Sequence, residues 1–258
     1  MIALRIAYDG TMLLGSQRQP HGLTVENKLL EALQGVGWGP SSERSAIRLV
    51  SRTDKGVSAT ENIAFVEGDA EFLRHHNRLG RVQAQLDGIW VTGVADAGYA
   101  PPYHKEYWYY LPPSIQPDAR LESACALFSG MHDFSSFAKT NALKDPVRTI
   151  NVEARIAGQS TMLAFSGTGF LWQMCRRIAA ACIALCQDDM TIAHVRNMLE
   201  SPTNRKMPPA PAEHLVLRSV SSPILFSDVL MGMQAMKEYY SKRYAYWAPL
   251  VAQYASNL

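Results

Sequence analysis

Apolar residues at Ile2, Leu4 and Ile6 repeat every second position, the period of a half-buried strand, and predict a strand over 2–7. The period then changes. Val25, Leu29, Ala32 and Leu33 cluster at helical spacing, which predicts a helix over 25–34 with Thr24 as its cap and Gly35 closing it. Ile47, Leu49 and Val50 form a short apolar run that ends in the polar turn 51–56. Strands over 62–66 and 89–94 flank a helical pattern over 70–79. Tyr99-Ala100-Pro101-Pro102 interrupts the chain and sets a boundary between residues 1–100 and 101–258. Beyond it the pattern predicts an aromatic strand over 105–111, a helix over 114–128, and an antiparallel strand pair over 148–156 and 162–166. Residues 170–186 are apolar nearly all round, the mark of a buried helix. A short helix over 191–200, a strand over 215–220 and a helical tail over 227–258 complete the reading.

Composition adds limits. At 258 residues the chain holds one large core or two modest ones, and 47% hydrophobic residues suit a folded soluble protein. The net charge is only +2, so any field that attracts nucleic acid must come from uneven placement of cations. No apolar run approaches the roughly 18 residues of a membrane span, and the opening alternates like a strand rather than a signal peptide. Cys125, Cys175, Cys182 and Cys186 show no paired metal spacing, and three of them fall in one apolar helix. The expectation is a reducing, cytoplasmic setting without structural disulfide or metal. No phosphate-binding glycine motif is present, so no nucleotide cofactor is expected.

Candidate chemistry gathers in two stretches. In the first, Asp54 follows a strand and precedes Gly56, which by itself describes an ordinary turn. Arg52 and Lys55 on either side favour its charged form. In the second, Gln173, Arg176 and Arg177 are the only strongly polar side chains of the apolar helix, and a buried or half-buried arginine there demands a carboxylate partner. His75-His76 point about 100° apart on a helix and cannot share a ligand easily, so a solvated basic face is the better reading. His132-Asp133 reads as structural, beside the core anchors Phe134 and Phe137.

These stretches also carry a resemblance. S-R-T-D-K-G-V-S-A resembles the R-T-D-x-G-V-x-A loop of the TruA-type tRNA pseudouridine synthases. Five further blocks follow in the same order: Y-D-G with G-x-Q-x-Q and T-V, the Tyr107 strand, G-M-H-D-F-S-S-F, F-L-W-Q-M-C-R-R and A-P-A-E-H-L. The resemblance implies an α+β fold of two RRM-like α/β halves sharing an extended, mainly antiparallel sheet with helices on one face. It implies isomerisation of uridine to pseudouridine in the anticodon arm of tRNA, at positions 38 to 40, by a cytoplasmic homodimer without metal or organic cofactor. Asp54 is then the nucleophile, Tyr107 lines the active site and stacks on uracil, and Arg176 pairs with Asp54. Arg18, Arg52, Lys55, Arg74 and Arg78 would hold phosphates. The chain departs from the pattern at Ser16, where an aromatic residue is usual, at Arg177, at His214, and in the short segment before the Tyr107 strand. Two rival readings are a catalytically silent tRNA-binding protein, which needs no Asp54 and Arg176 together, and a carboxylate-dependent nucleoside hydrolase, which normally brings a second carboxylate acid or a metal cluster.

Overall fold

The computed structural model describes residues 1–20, 22–39, 47–68, 70–101, 103–139, 145–158, 160–202 and 206–243. They group into two compact units. The first is Met1–Tyr103 with the described residues from Leu217 onward, and the second is His104–Val216. The sequence division assigned everything after residue 100 to one half, whereas the segment after Leu217 groups with the first unit.

In the first unit, β1 (Ile2–Tyr8) lies between β3 (Ser58–Val66) and β4 (Ile89–Asp96), antiparallel to both. β2 (Ile47–Leu49) pairs antiparallel with one end of β3. β1 is buried on both faces except at Arg5, so Ala3 and Ala7 are as deeply buried as Ile2 and Ile6. That is why the alternation in its sequence is shallow. The helix α1 (Val25–Gln34) starts where Thr24 Oγ1 accepts from Asn27 N at 3.2 Å. It ends at Gly35, whose backbone is still right-handed; the left-handed residue is Gly37, at φ 87°.

The predicted helix over 70–79 is broken into α2 (Ala70–Arg74), a 3-10 turn at His75–Asn77 and α3 (Arg78–Gln83). Asn77 adopts a left-handed conformation, φ 54°, which resets the helix axis. Gln83 of α3 bridges to β4, donating to Ile89 O at 3.0 Å and accepting from Val91 N at 2.9 Å.

The second unit is an antiparallel sheet in the order β5 (His104–Tyr110), β8 (Ser160–Gly167), β7 (Val147–Ala157), β6 (Gly130–Asp133). The expected 148–156 and 162–166 hairpin is the β7–β8 pair. The helix α4 (Ala119–Phe128) starts later than the predicted 114, because Asp118 accepts from the backbone N–H groups of Arg120 and Leu121 and fixes the start there. The helix α5 (Met174–Cys186) likewise starts later than 170: Gln173 is left-handed, φ 63°, and ends a turn at 171–174. α6 (Ile192–Glu200) begins at the Thr191 cap.

β9 (Leu215–Ser221) passes from the second unit into the first, where Thr60 Oγ1 donates to Arg218 O at 2.8 Å. The tail then forms β10 (Ser227–Asp228), paired with β4, and α7 (Leu230–Arg243). The rest of the predicted helical tail, 244–258, lies outside the described residues. α7 packs on β4 through Gly232, Met233, Met236 and Tyr240, and the Trp90 ring meets those of Tyr239 and Tyr240 at 4.9 and 5.3 Å.

Gly232 makes this contact possible, since a Cβ there would lie 1.9 Å from Val91 O. Gly232→Ala should therefore lower unfolding free energy by about 2–3 kcal/mol in urea denaturation, as overpacking against backbone does. Gly39→Ala, with no atom of the described residues within 4 Å of the added carbon, should stay within about 0.5 kcal/mol of the parent.

Candidate active site

The loop that carries Asp54 is held from three directions. Its own turn closes by Val57 N donating to Asp54 O at 3.1 Å, with Gly56 at φ 88°. Only a residue without Cβ takes that conformation easily. Gly56 N donates to Gly10 O at 3.1 Å, and Gly10 N donates to Ser58 Oγ at 2.9 Å. A Cβ on Gly10 would fall 2.1 Å from Val57 O, so the Tyr8-Asp9-Gly10 turn touches the loop backbone to backbone.

Ser16 makes the second clamp. Its N–H donates to Thr53 O at 3.1 Å, and its Oγ accepts from Thr53 N at 2.8 Å. Ser16 is fully buried. The residue that departed from the family pattern thus acts through its hydroxyl, as a backbone mimic that no ring could replace. Gly15 N-terminal to it is at φ 106°, and its carbonyl and that of Ser16 accept the N–H groups of Val25 and Glu26. Two of the unsatisfied donors at the start of α1 are used in this way.

The third support is a buried polar chain. Tyr8 Oη lies 2.9 Å from Thr53 Oγ1, Asn62 Nδ2 donates to Tyr8 Oη at 3.2 Å and to Ser51 O at 2.8 Å, and Ser51 N donates to Asn62 Oδ1 at 3.2 Å. Burial pushes the Tyr8 phenol up to about 12, so it remains a neutral hydroxyl. Asp9 is buried too; its Oδ1 accepts from Thr11 N and Thr11 Oγ1, and its Oδ2 accepts from Tyr239 Oη of α7 at 2.8 Å. With this scaffold in place, the Asp54 side chain is half-buried, while Arg52 and Lys55 beside it are exposed.

The other predicted phosphate-binding cations are placed as follows. Arg18 is exposed, and its backbone N–H donates to Glu26 Oε2 at 2.7 Å. Glu26 was missed in the sequence; burial holds its carboxyl above the usual range, opposed by Arg18 N–H and by the charges of Arg52 and Arg18. Arg74 is exposed and pairs with Asp96 at 3.8 Å. Arg78 is half-buried, donates to Phe72 O at 2.9 Å and lies over the Phe72 ring.

In the second unit, Tyr107 of β5 is opposite Phe165 of β8 and is buried, with its ring edge-on to Phe170 at 5.2 Å. Arg176, in the first turn of α5, is half-buried; its Nε donates to Ala210 O at 2.7 Å, and its carbonyl accepts Ala210 N at 3.1 Å. Arg177 is buried, donates to Met207 O, and donates to Gln173 Oε1 at 2.8 Å. Burial, with Arg176 alongside, pushes its guanidinium pKa down. The segment 207–210 is therefore fastened to α5 by both arginines, a use of Arg177 that the sequence did not suggest. His132 Nε2 lies 3.1 Å from Ser129 O and Asp133 accepts Ser135 N at 2.8 Å, local contacts that fit a structural role. Among the described residues no three or more His, Cys, Asp or Glu are grouped to hold a metal, and no helix is long and apolar enough to cross a membrane.

A family model described as tRNA pseudouridine synthase matches residues 124–221. A tRNA pseudouridine synthase A of Thermococcus sibiricus is 35% identical, over 94% of this chain and 93% of its own length. That of Thermococcus kodakarensis is 34% identical over 95% and 93%. That of Methanothermobacter thermautotrophicus is 34% identical over 84% and 79%. A crystal structure of a Cbf5–Nop10–Gar1 complex is a remote neighbour at 14% identity and a TM-score of 0.31, covering 67% of this chain and 45% of that one. Similarity at this level across nearly the whole of both chains means that the chain belongs to the tRNA pseudouridine synthase family.

Proposed function

We propose that Asp54 is the nucleophile with which this pseudouridine synthase isomerises uridine in tRNA. The observation that supports the reading best is the rigid, three-way support of the Asp54 loop around a half-buried carboxylate. Reactive groups need fixed direction, and a loop this constrained supplies it. The reaction breaks N1–C1′, turns the uracil and joins C5 to C1′. The C5 proton leaves and N1 takes one up, so atoms and charge balance without a cofactor. Asp54 serves either by attacking C1′ or by taking the 2′ proton on a glycal route.

Tyr107 is proposed as the ring under the uracil, and Arg176 as the guanidinium that partners Asp54 in the reacting complex. The target base must leave its stack to be reached. Arg18, Arg52, Lys55, Arg74 and Arg78 are proposed phosphate contacts, of which Arg18, Arg52, Lys55 and Arg74 are exposed. The anticodon arm, positions 38 to 40, is the proposed target, and a cytoplasmic homodimer the proposed working form. The relatives' names, tRNA pseudouridine synthase A, support the substrate class.

Tritium release from tRNA labelled at uridine C5 tests the chemistry. The parent should release it, and Asp54→Asn should fall to background while still binding tRNA. Tyr107→Phe should keep most activity, whereas Tyr107→Ala should lose about 10- to 100-fold in kcat/KM, the worth of one base stack. Full activity in Asp54→Asn would reject the mechanism.

Glu26 gives a pH prediction. A carboxyl whose folded pKa is raised favours the native state below its ordinary value, and that contribution is lost as pH rises through the raised value. Glu26→Gln keeps the acceptor for Arg18 N–H and removes the titration. Its stability relative to the parent, followed by denaturation from about pH 4 to about pH 8, should improve with rising pH, the reverse of what loss of an ion pair would give.

A further inference from the structure

The loop that leads into α5 carries an indole that none of the chemistry above uses. Trp172 is 54% exposed, between Leu171 at 9% and Met174 at 0%. Of the described Phe and Trp residues it is the exposed one. The backbone beneath it is fixed. Met174 N donates to Leu171 O at 3.1 Å, Gln173 is held at φ 63°, and its amide oxygen accepts from Arg177. Lys139 N donates to Trp172 O at 2.8 Å, which ties in the neighbouring loop. A half-exposed indole on a held backbone offers a flat apolar surface at a fixed place, beside the Lys139 ammonium.

The surroundings say what chemistry suits it. Lys139 is exposed, and its ammonium lies 4.1 Å from the centre of the Trp172 ring. A Cβ on Gly169 would lie 3.6 Å from Arg148 Nε, which puts a second cation beside the same loop. Two residues before the indole, Phe170 meets the Tyr107 ring. A flat π-surface next to cations, two residues from the ring that meets Tyr107, matches an unstacked nucleobase with its phosphate.

We propose that Trp172 and Lys139 form a second nucleotide site, in which the indole stacks on a base of the tRNA beside the reacting uridine and Lys139 takes the adjoining phosphate. This rests on tRNA being the substrate, but not on Asp54 being the nucleophile.

The test measures tRNA affinity at several salt concentrations, single-turnover tritium release, and quenching of indole emission. Trp172→Ala should weaken binding about tenfold with the rate at saturating tRNA unchanged, and Trp172→Phe should recover most of the loss. Lys139→Ala should lower the slope of log affinity against log salt by about one phosphate's worth, near 0.7 to 0.9. Quenching on addition of tRNA should shrink in Trp172→Phe. Unchanged affinity in Trp172→Ala, or a lost rate at saturation with affinity intact, would overturn the proposal. If the parent releases no tritium yet Trp172→Ala still binds weakly, the catalytic reading fails and the nucleotide site stands.

Discussion

The structure around Asp54 depends on one exchange of hydrogen bonds, between the Ser16 hydroxyl and N–H on one side and the Thr53 backbone on the other. A loop between two strands has no ladder of its own, and its peptide groups must find partners or lose free energy. Ser16 supplies them from a segment that is itself anchored at the start of α1. The carboxylate inherits that rigidity. Its neighbours Arg52 and Lys55 stay in solvent, so the loop presents a held acid between two exposed cations.

The second unit solves a different problem. Two adjacent arginines sit on an apolar helix, where burial, and then the charge of Arg176, oppose the charge of Arg177. The expectation was that a buried arginine demands a carboxylate. Arg177 instead has carbonyl and amide oxygens, those of Met207 and Gln173. Arg176 also donates to the carbonyl of Ala210. Proline-rich backbone is suited to this task, since Pro208, Pro209 and Pro211 have no N–H of their own to satisfy, and the carbonyls of Met207 and Ala210 beside them accept from the arginines. A guanidinium reads such a segment as readily as it reads an acid.

Much of this was legible in the sequence, and the exceptions have physical causes. Periodicity located the strands because side-chain burial follows the pleat, and Thr24 marked its helix because the cap is a local interaction. Helix starts were misplaced at 114 and 170, where a polar side chain or a left-handed residue decides the boundary: Asp118 and Gln173. The 70–79 helix was interrupted by Asn77, one of the few residue types that tolerate positive φ. In the site, the Asp54 loop was visible as a motif, but Ser16, Asn62 and Glu26 were not. Their roles arise from partners 37, 11 and 8 residues away in the chain, a distance that no periodicity encodes. The division at Leu217 was hidden for the same reason, since a strand's partner is fixed by topology and not by its own composition.

The hydrogen bond from Tyr239 to Asp9 spans 230 positions. It joins the last described helix to the turn at the end of the first strand, which itself abuts the Asp54 loop. Synthesis runs from one end to the other, so the opening strand leaves the ribosome long before its closing clasp exists. The buried acid at Asp9 then waits in water for its phenolic partner, and the first unit completes its fold only after the intervening second unit has been made.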